Sequence, residues 1–405
     1  MDDLRALLQP KKKDARRSVV QAAMIKPGFQ ADIAKRAGIA PGTVSPLVND
    51  LRGEGLLEDA PKGARAGVPD LIRPARIRGF VAGIELGYRR TGIVARRVDQ
   101  SHDEAEVEWI NSGVATSALN NGLLNQIWDA LVALAYRLHE DPADLASVGM
   151  AVLRMVHPRS QQLTAPLLPP WEPGANPASE LAEHLRQMMG AERAPRVSMD
   201  NRANLGALGE SLYGTHKDAE TLIYVKASTG IGAGIVIGGK LIRGSSGVAG
   251  EMGHAMVDSH GRICVCGGRG CLETLVGADA VVERARGAFH GRPTQVPRYF
   301  DDVVASAEKG NAACRRALKD AAEMMGAALG NICNLLNPNL IVLGGAWGRV
   351  ENPALLLDPC RRGLESTALT VAIDSGFDMV TSKVGEAVAH GALAMGIAAC
   401  FDAAE

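Results

Sequence analysis

A short segment between residues 251 and 273 contains four side chains that can bind a metal ion. Cys264, Cys266 and Cys271 lie within eight residues, and His254 precedes them. Thiolates and a neutral imidazole are the ligands of structural Zn²⁺ sites, and the intervening glycines let the backbone turn tightly enough for the sulfurs to converge. Four protein ligands leave no position for an activated water, so the sequence predicts a structural zinc ion. Buried free thiols are the alternative, but this run has almost no apolar residues to pack against them.

The composition predicts a globular chain of two or three domains. Its 405 residues are 46% hydrophobic and 22% charged. No apolar run approaches the roughly 18 residues that span a bilayer, and the N-terminus lacks the apolar core of a secretory signal. Seven cysteines, three of them crowded together, suit a reducing compartment and a metal better than disulfides. We therefore expect a cytoplasmic protein that does not bind membranes.

Charge is distributed unevenly along the chain. Residues 1–78 carry a net charge of +6 and residues 79–405 a net charge of −7. A basic module fused to an acidic body is expected of a nucleic-acid reader attached to a sensing or catalytic domain. A solvated basic tail gives the same net charge. The prediction of a nucleic-acid reader therefore depends also on the order of the secondary-structure elements.

The segment from Ala15 to Pro74 predicts three helices followed by two short strands. Apolar residues recur at helical spacing in each of three segments, which contain Val19, Val20, Ala23 and Met24, then Ile33, Ala34 and Ala37, then Val44, Leu47, Val48 and Leu51. Pro27-Gly28 ends the first helix and Gly38 the second. Pro46 is expected to kink or shorten the third helix, or to mark a later start.

This order of elements is the plan of a winged helix-turn-helix, whose last helix enters the major groove while the wing follows the backbone. A small helical protein-interaction domain is the alternative. The residues expected to contact bases or phosphates are Thr43, Ser45 and Asn49, and those expected to neutralise phosphates are Arg16, Arg17, Lys62 and Arg65.

The rest of the chain resembles a known family through several motifs. They are the strand and turn at 80–87, the strand at 221–225 with its Gly-rich hairpin at 228–236, the element GHxxV…CxCGxxGCLE from His254 to Glu273, and the helix end, strand and Gly-Gly turn at 335–345. Together they resemble the ROK family of repressors, open reading frames and kinases, from about residue 79 to the C-terminus. The winged module is similar to that of the family's repressor branch.

The resemblance implies an α/β fold with the two lobes of actin-like (ribonuclease H-like) proteins. The expected domains are a winged helix-turn-helix at 1–76, a smaller lobe at 77–199 with 387–405, and a larger lobe with the zinc site at 200–386. The resemblance also implies sugar contacts by Asn201, Glu251, His254 and Glu273. Carboxylates accept hydrogen bonds from vicinal hydroxyls, and one ring nitrogen of His254 can bind zinc while the other faces the ligand.

Two departures from the family pattern predict a protein without catalytic residues. In the family's kinases a strand ends in Asn-Asp-x-Asn, and that Asp takes the proton of the attacking sugar hydroxyl. Here Arg202 stands in its place, and a guanidinium cannot accept a proton. Asp200 is expected to face away from the sugar. In the phosphate-binding turn Tyr88 replaces a glycine and would obstruct close approach of the backbone.

We therefore expect a sugar-responsive regulator of transcription, a repressor of carbohydrate metabolism without kinase activity. Its partners would be operator DNA and a sugar or sugar derivative, and it would act as a homodimer or homotetramer. One alternative is an ATP-dependent, glucokinase-like sugar kinase that carries a DNA-binding domain. Another is a scaffold with a vestigial cleft, because Val152–Met155 replaces a Pro-Gly turn that is usual near the sugar.

Overall fold

A computed structural model describes residues 15–59, 71–75, 79–87, 90–111, 119–163, 176–190, 194–216, 219–289, 296–374 and 376–401. The chain divides into two compact units. The first comprises residues 1–201 and 388–405, and the second comprises residues 202–387. The predicted division into three domains stays a prediction.

The first unit opens with three helices and a two-stranded sheet. The helices are α1 (Ala15–Ile25), α2 (Gln30–Ala37) and α3 (Pro41–Gly53), and the strands are β1 (Leu57–Asp59) and β2 (Ile72–Pro74). The two strands pair antiparallel. Gly38 ends α2 with a φ of +67°, the left-handed conformation that glycine adopts without steric cost. The order of elements predicted from hydrophobic periodicity and helix breakers is therefore present.

Pro46 lies inside α3 and does not end it. The expectation that this proline shortens the helix or delays its start is wrong, because α3 runs from Pro41 to Gly53. A proline inside a helix removes one hydrogen bond and crowds the carbonyl four residues earlier, which here belongs to Gly42. Both residues are exposed, so water can bond that carbonyl.

A five-stranded mixed sheet forms the centre of the first unit. Its strands are β3 (Phe80–Glu85), β4 (Thr91–Arg97), β5 (Glu106–Ile110), β6 (Leu145–Val152) and β7 (Arg196–Asn201), and their order is β5-β4-β3-β6-β7. Strand β4 is antiparallel to both of its neighbours, whereas β3, β6 and β7 run parallel. The helices of this part are α4 (Asn121–Arg137), α5 (Pro177–Met188) and, near the C-terminus, α13 (Ala387–Phe401).

Helices cover both faces of this sheet. On one face, Ile84 of β3 belongs to an apolar cluster with Leu131 of α4. On the other face, Val81 belongs to a cluster that contains Val48 of α3 and Leu393 of α13. Successive side chains of a strand point to opposite faces, so β3 is buried along its whole length. The three N-terminal helices are thus a packed layer of the first unit.

The second unit contains another five-stranded mixed sheet. Its strands are β8 (Thr221–Ala227), β9 (Ile231–Ile237), β10 (Lys240–Ile242), β11 (Leu340–Gly344) and β12 (Asp378–Thr381), and their order is β10-β9-β8-β11-β12. Its helices are α6 (Arg202–Tyr213), α7 (Glu273–Val276), α8 (Ala278–Arg286), α9 (Phe300–Glu308), α10 (Ala312–Leu336), α11 (Gly345–Gly348) and α12 (Leu357–Glu365). Strand β11 supplies Ile341 and Leu343 to the apolar core, which they share with Leu329 of α10 and Leu364 of α12.

The two sheets have the same strand order and the same directions. In the second unit β9 is antiparallel to both of its neighbours, and β8, β11 and β12 run parallel, as their counterparts do in the first unit. A duplicated sheet of this kind is the arrangement implied by the actin-like resemblance, and the structure confirms it. No helix among the described residues is both long enough and apolar enough to cross a membrane.

His390 of α13 should make the protein sensitive to acid. Burial, together with the nearby charges of His102 and Arg96, lowers the pKa of His390 to about 4. Between pH 6.5 and 4 the unfolded chain therefore binds a proton that the folded chain does not, so stability falls as the pH falls. We expect His390→Gln to lose less unfolding free energy than the parent between pH 7 and pH 4, by about 3 kcal/mol. Urea denaturation across this range measures the difference, and coincident curves would contradict the prediction.

Candidate functional site

The backbone of residues 255–272 folds back on itself and brings its cysteines together. Two antiparallel bridges close the loop, and they join Met256 to Cys271 and Ile263 to Arg269. At the tip, the amide of Cys264 donates to the carbonyl of Gly268 at 2.8 Å. The chain therefore reverses direction within this loop, which brings Cys264 and Cys271 close together although they are seven residues apart.

Gly270 is required by the conformation of this turn. Its φ is +65°, and its amide donates to the carbonyl of Arg262 at 2.7 Å. A Cβ at this position would overlap the carbonyl oxygen of Asp258. Only glycine satisfies both conditions, so the predicted role of the glycines in letting the sulfurs converge is seen most clearly here.

The four predicted ligands lie together. The donor atoms of His254, Cys264, Cys266 and Cys271 are all within 4.8 Å of one another. The Sγ atoms of Cys266 and Cys271 are 3.7 Å apart, and Sγ of Cys264 is 3.6 Å from Nδ1 of His254. Two sulfurs bound tetrahedrally at about 2.3 Å from one zinc ion are about 3.8 Å apart, so these separations suit a single metal ion.

The cysteine side chains have different affinities for protons. Burial raises the pKa of Cys264, and burial raises the pKa of Cys271 to about 12. The amide of Gly268 donates to Sγ of Cys266 at 3.4 Å and lowers the pKa of that thiol. Because thiolates and not thiols bind metals, occupation of this cluster would release protons.

His254 presents its two ring nitrogens to different neighbours. Nδ1 faces Cys264, whereas Nε2 lies 4.0 Å from Oε2 of Glu251. A metal held by Nδ1 would leave the Nε2 proton directed towards the carboxylate, an arrangement that fixes both the tautomer and the ring orientation. The histidine therefore connects the cysteine cluster to the predicted sugar contacts.

Close packing against β9 positions Glu251 and His254. The amide of Ala233 donates to the carbonyl of Gly250 at 2.7 Å. A Cβ on Gly250 would overlap the carbonyl oxygen of Ala233, and one on Gly253 would overlap that of Ile231. Two glycines thus allow the chain on either side of Glu251 to lie directly against a strand.

Glu273 completes the set of predicted sugar contacts in the second unit. Its Oε2 accepts the amide of Ile231 at 2.9 Å, which holds the carboxylate at the start of β9. Burial, together with the charge of Glu273, raises the pKa of Glu251 to about 7. At neutral pH Glu251 can therefore both donate and accept hydrogen bonds, as a binder of hydroxyl groups needs to do.

Asn201, the fourth predicted sugar contact, belongs to the first unit. It is the last residue of β7, and its Nδ2 donates to the carbonyl of Arg154 at 3.2 Å. Asp200 is only 2% exposed, and its Oδ1 accepts the amide of Asn201 at 2.7 Å. Arg202 is the first residue of α6 and is partly buried. Tyr88, predicted to obstruct the phosphate-binding turn, lies outside the described residues.

Helix α3 exposes the side chains predicted to read DNA. Thr43, Ser45 and Asn49 are exposed, whereas Val44 and Val48 are fully buried. The exposed residues are restrained from within the module, since Nε2 of Gln30 donates to Oγ of Ser45 at 2.6 Å, and Arg52 donates to Oδ1 of Asn49 at 3.3 Å.

The predicted phosphate contacts are only partly described. Arg16 and Arg17 lie on α1, where Arg16 forms an ion pair with Glu54. This pair is exposed, so it contributes little to stability and leaves the arginine near the surface. Lys62 and Arg65, predicted at the tip of the wing, lie outside the described residues.

Two residues that position Glu251 and His254 were not predicted from the sequence. They are Gly250 and Gly253, which lie on either side of Glu251 and allow close contact with β9. The spacing of glycines around Glu251 and His254 was the only available signal. The role of these glycines depends on β9, which lies directly against them.

Comparison with known proteins identifies relatives of two kinds. A family model described as the ROK family matches residues 82–399. The xylose repressor of Caldicellulosiruptor bescii is 28% identical over 328 residues, which are 77% of this chain and 77% of that protein. A glucokinase of Halalkalibacterium halodurans is 32% identical over 200 residues, which are 47% of this chain and 60% of that protein.

A solved structure extends the likeness to nearly the whole chain. It is a ROK family transcriptional regulator described as a homologue of the E. coli MLC protein. It superposes with a TM-score of 0.71 at 20% identity and covers 96% of this chain and 97% of that one. At this identity the comparison establishes a shared fold.

Alanine substitutions at two glycines of the cysteine loop should have unequal effects. Gly270→Ala would force a left-handed conformation and a clash with the Asp258 carbonyl, so we expect it to lower the free energy of unfolding by more than about 3 kcal/mol. Gly267 is a matched control, since its φ is also positive, at +86°, but a Cβ there has no neighbour within 4 Å. Gly267→Ala should cost about 1 kcal/mol. Denaturant unfolding measures the loss of unfolding free energy in both variants, and equal losses would contradict the assigned role of Gly270.

Proposed function

Because the chain belongs to the ROK family, we propose that it is a sugar-responsive, DNA-binding repressor of transcription that does not phosphorylate its sugar. Repressors are among its relatives, including the xylose repressor that matches 77% of the chain. The proposal assigns DNA reading to the N-terminal helices and sugar binding to Glu251, His254, Glu273 and Asn201.

The proposed absence of kinase activity rests on the position of Arg202. It stands at the start of α6, directly after Asn201, where the family's kinases are expected to have the general base. Its guanidinium stays protonated at physiological pH and cannot take a proton from a sugar hydroxyl. The nearest carboxylate in sequence, Asp200, is buried and already accepts a backbone amide. These features support a pocket that binds a sugar without activating it.

The N-terminal module has the features of a winged helix-turn-helix. Helices α2 and α3 are joined by a short turn after Gly38, and the antiparallel pair of β1 and β2 would form the base of a wing. The amphipathic burial of α3 leaves Thr43, Ser45 and Asn49 available to DNA. We assign α3 to the major groove and the basic segment between β1 and β2 to the phosphate backbone.

Zinc is the metal that the donor set of the cysteine cluster suits best, because three thiolates and one imidazole are typical ligands of structural zinc. The ion would hold the loop that orders His254 and, through it, Glu251. It would have no open position for substrate, so its role would be structural. The sugar response should therefore depend on the metal, although the metal takes no part in a reaction.

Regulation requires the sugar to favour one conformation of the protein over another. Operator DNA and a sugar or sugar derivative are the proposed partners, and two-fold operators call for a homodimer or homotetramer. The proposed domains are those predicted from the sequence, with the reader at 1–76. A cytoplasmic location fits a DNA-binding protein with free cysteines, and no membrane partner is proposed.

A sugar kinase with a DNA-binding module is the second candidate. The glucokinase match of 32% identity and the retention of Asn201, Glu251, His254 and Glu273 favour it. It requires a proton acceptor other than Arg202. Release of ADP distinguishes this candidate from a repressor.

Purified protein should bind a specific DNA sequence and respond to a sugar without consuming ATP. Selection from random duplexes should enrich an operator, and D-xylose, D-glucose or another sugar of a panel should change operator affinity about tenfold. Glu251→Gln should abolish this response, while Glu283→Gln, which removes only an exposed partner of Arg262, should preserve it. ADP release should stay at background with every sugar. ADP release above background that Glu251→Gln abolishes would contradict the repressor proposal and favour the sugar kinase.

The protein should contain one zinc ion per chain, detectable by elemental analysis. Cys271→Ser should lower zinc affinity by about 100-fold or more, because it removes a thiolate ligand. Cys314→Ala is the control, since Cys314 is a buried cysteine of α10 outside the cluster. Chelation should abolish the sugar response before it weakens DNA binding, as the N-terminal helices belong to the other unit. A chelated protein with an unchanged sugar response would refute this ordering.

A further inference from the structure

The N-terminal helices and the first sheet share one apolar core. Val81 of β3 and Val94 of β4 belong to the same buried cluster as Val20 of α1 and Val44 of α3. Helix α13 contributes Leu393 to this cluster, and Nε2 of Gln21 donates to the carbonyl of Ala398 on the same helix at 3.5 Å. The face of the sheet that carries Val81 and Val94 is called the outer face here. It is the surface against which the proposed DNA-reading module packs.

Arg96 is a charged residue within this apolar interface. It lies on β4 two residues after Val94, so both side chains point to the same face of the sheet. Val98, just after the end of β4, belongs to the same apolar cluster as Val94. Arg96 is 0% exposed. Arginine is almost never buried completely unless its donors are satisfied, so its partners show what the burial achieves.

The guanidinium of Arg96 joins the sheet to α1. One nitrogen donates to the carbonyl of Arg97, at the end of β4, at 3.2 Å and to that of Gln100 in the turn that follows. The other donates to the carbonyl of Met24 and, at 3.5 Å, to that of Ile25. A planar fork with five donors can serve both sides at once, which an ammonium group cannot do in the same way.

Met24 and Ile25 are the last residues of α1, where helix carbonyls have no donor within the helix. The last turn of α1 contains no basic residue of its own. The amide of Gly28, four residues beyond Met24, donates instead to the carbonyl of Ile72 at 3.1 Å. Arg96 therefore supplies, from another element, the positive charge that stabilises the C-terminal end of a helix.

We infer that Arg96 is a positioning residue for DNA recognition. It fixes the end of α1, and thereby α3 packed beside it, onto the outer face of the first sheet. The inference rests on the proposed function in that α3 is the DNA-reading helix. The module then moves with the sheet, so a change in the body alters the orientation in which α3 meets the operator. Arg96 would control operator affinity without touching DNA.

Substitution of Arg96 tests the inference in two measurements. Arg96→Met leaves the carbonyls of α1 without this donor, so operator affinity should fall about tenfold as the module loses its fixed orientation. The slope of affinity against salt concentration should stay unchanged, because the phosphate contacts are the same in number. Arg96→Lys keeps the charge and part of the hydrogen bonding, and it should restore most of the affinity. Arg97→Met is the matched control, since Arg97 pairs with Asp99 and Glu140 on the first unit's body.

The second measurement follows the module itself. Nitroxide-bearing unnatural residues at two exposed positions, Lys35 of α2 and Tyr136 of α4, report the distance between the module and the body by pulsed electron resonance. The distance distribution should be narrow in the parent and in Arg97→Met, and broad in Arg96→Met. Should Arg96→Met fail to fold, Arg96→Lys should show the broadening in smaller degree, because its single ammonium group replaces only part of the hydrogen bonding of the guanidinium.

The outcomes separate this inference from the proposed function. A narrow distribution in the Arg96 variants overturns the inference, as does a broad distribution with operator affinity within twofold of the parent. A parent protein that enriches no DNA sequence overturns the proposed function and with it the role of Arg96 in recognition. A change in the salt slope would instead mean that Arg96→Met removed phosphate contacts, which also overturns a purely positioning role.

Discussion

Both faces of the first sheet have to be covered, and this requirement organises the first unit. Strand β3 is buried at all six positions, so neither side of it can face water. Helices α4 and α5 cover one side. The other side is covered by α13 together with the N-terminal helices, which makes the proposed DNA reader part of the core. Truncating that module would expose an apolar face, so reader and body are bound by the hydrophobic effect as well as by the chain.

The second unit meets a different constraint, which is to hold two neighbouring carboxylates in a partly buried place. Glu251 lies beside Glu273, and burial together with this neighbouring charge raises its pKa to about 7. Such an arrangement is costly unless hydroxyl groups or a metal-bound histidine satisfy the carboxylates. The glycines at 250 and 253 make it sterically feasible by letting the chain lie against β9. The hydroxyl groups of a sugar could satisfy these carboxylates, as the proposed function requires.

Elements with a strong local cause were predictable. Gly38 ends α2 and Asn337 ends α10, both in the left-handed conformation, as their residue types indicated. The convergence of His254, Cys264, Cys266 and Cys271 was predictable because the spacing of Cys and Gly is itself a local constraint. Pro46 was misjudged, since the cost of a proline in a helix depends on whether water can reach the carbonyl that it leaves unbonded. The burial of Arg96 could not be predicted, because an arginine in a strand is normally exposed to solvent.

The sequence by itself determined which side chains could bind a metal, where α2 and α10 end, and that an arginine stands at position 202, because these depend on side-chain chemistry and on short-range backbone preferences. Only the tertiary structure decided that Nε2 of His254 faces Glu251 and that Gly250 supports β9. It also decided that Arg96 reaches a helix more than 70 positions away in the chain. The reason is physical: burial, and the partners that buried polar groups find, are properties of packing between distant segments, and one sequence read along its length contains no direct record of them.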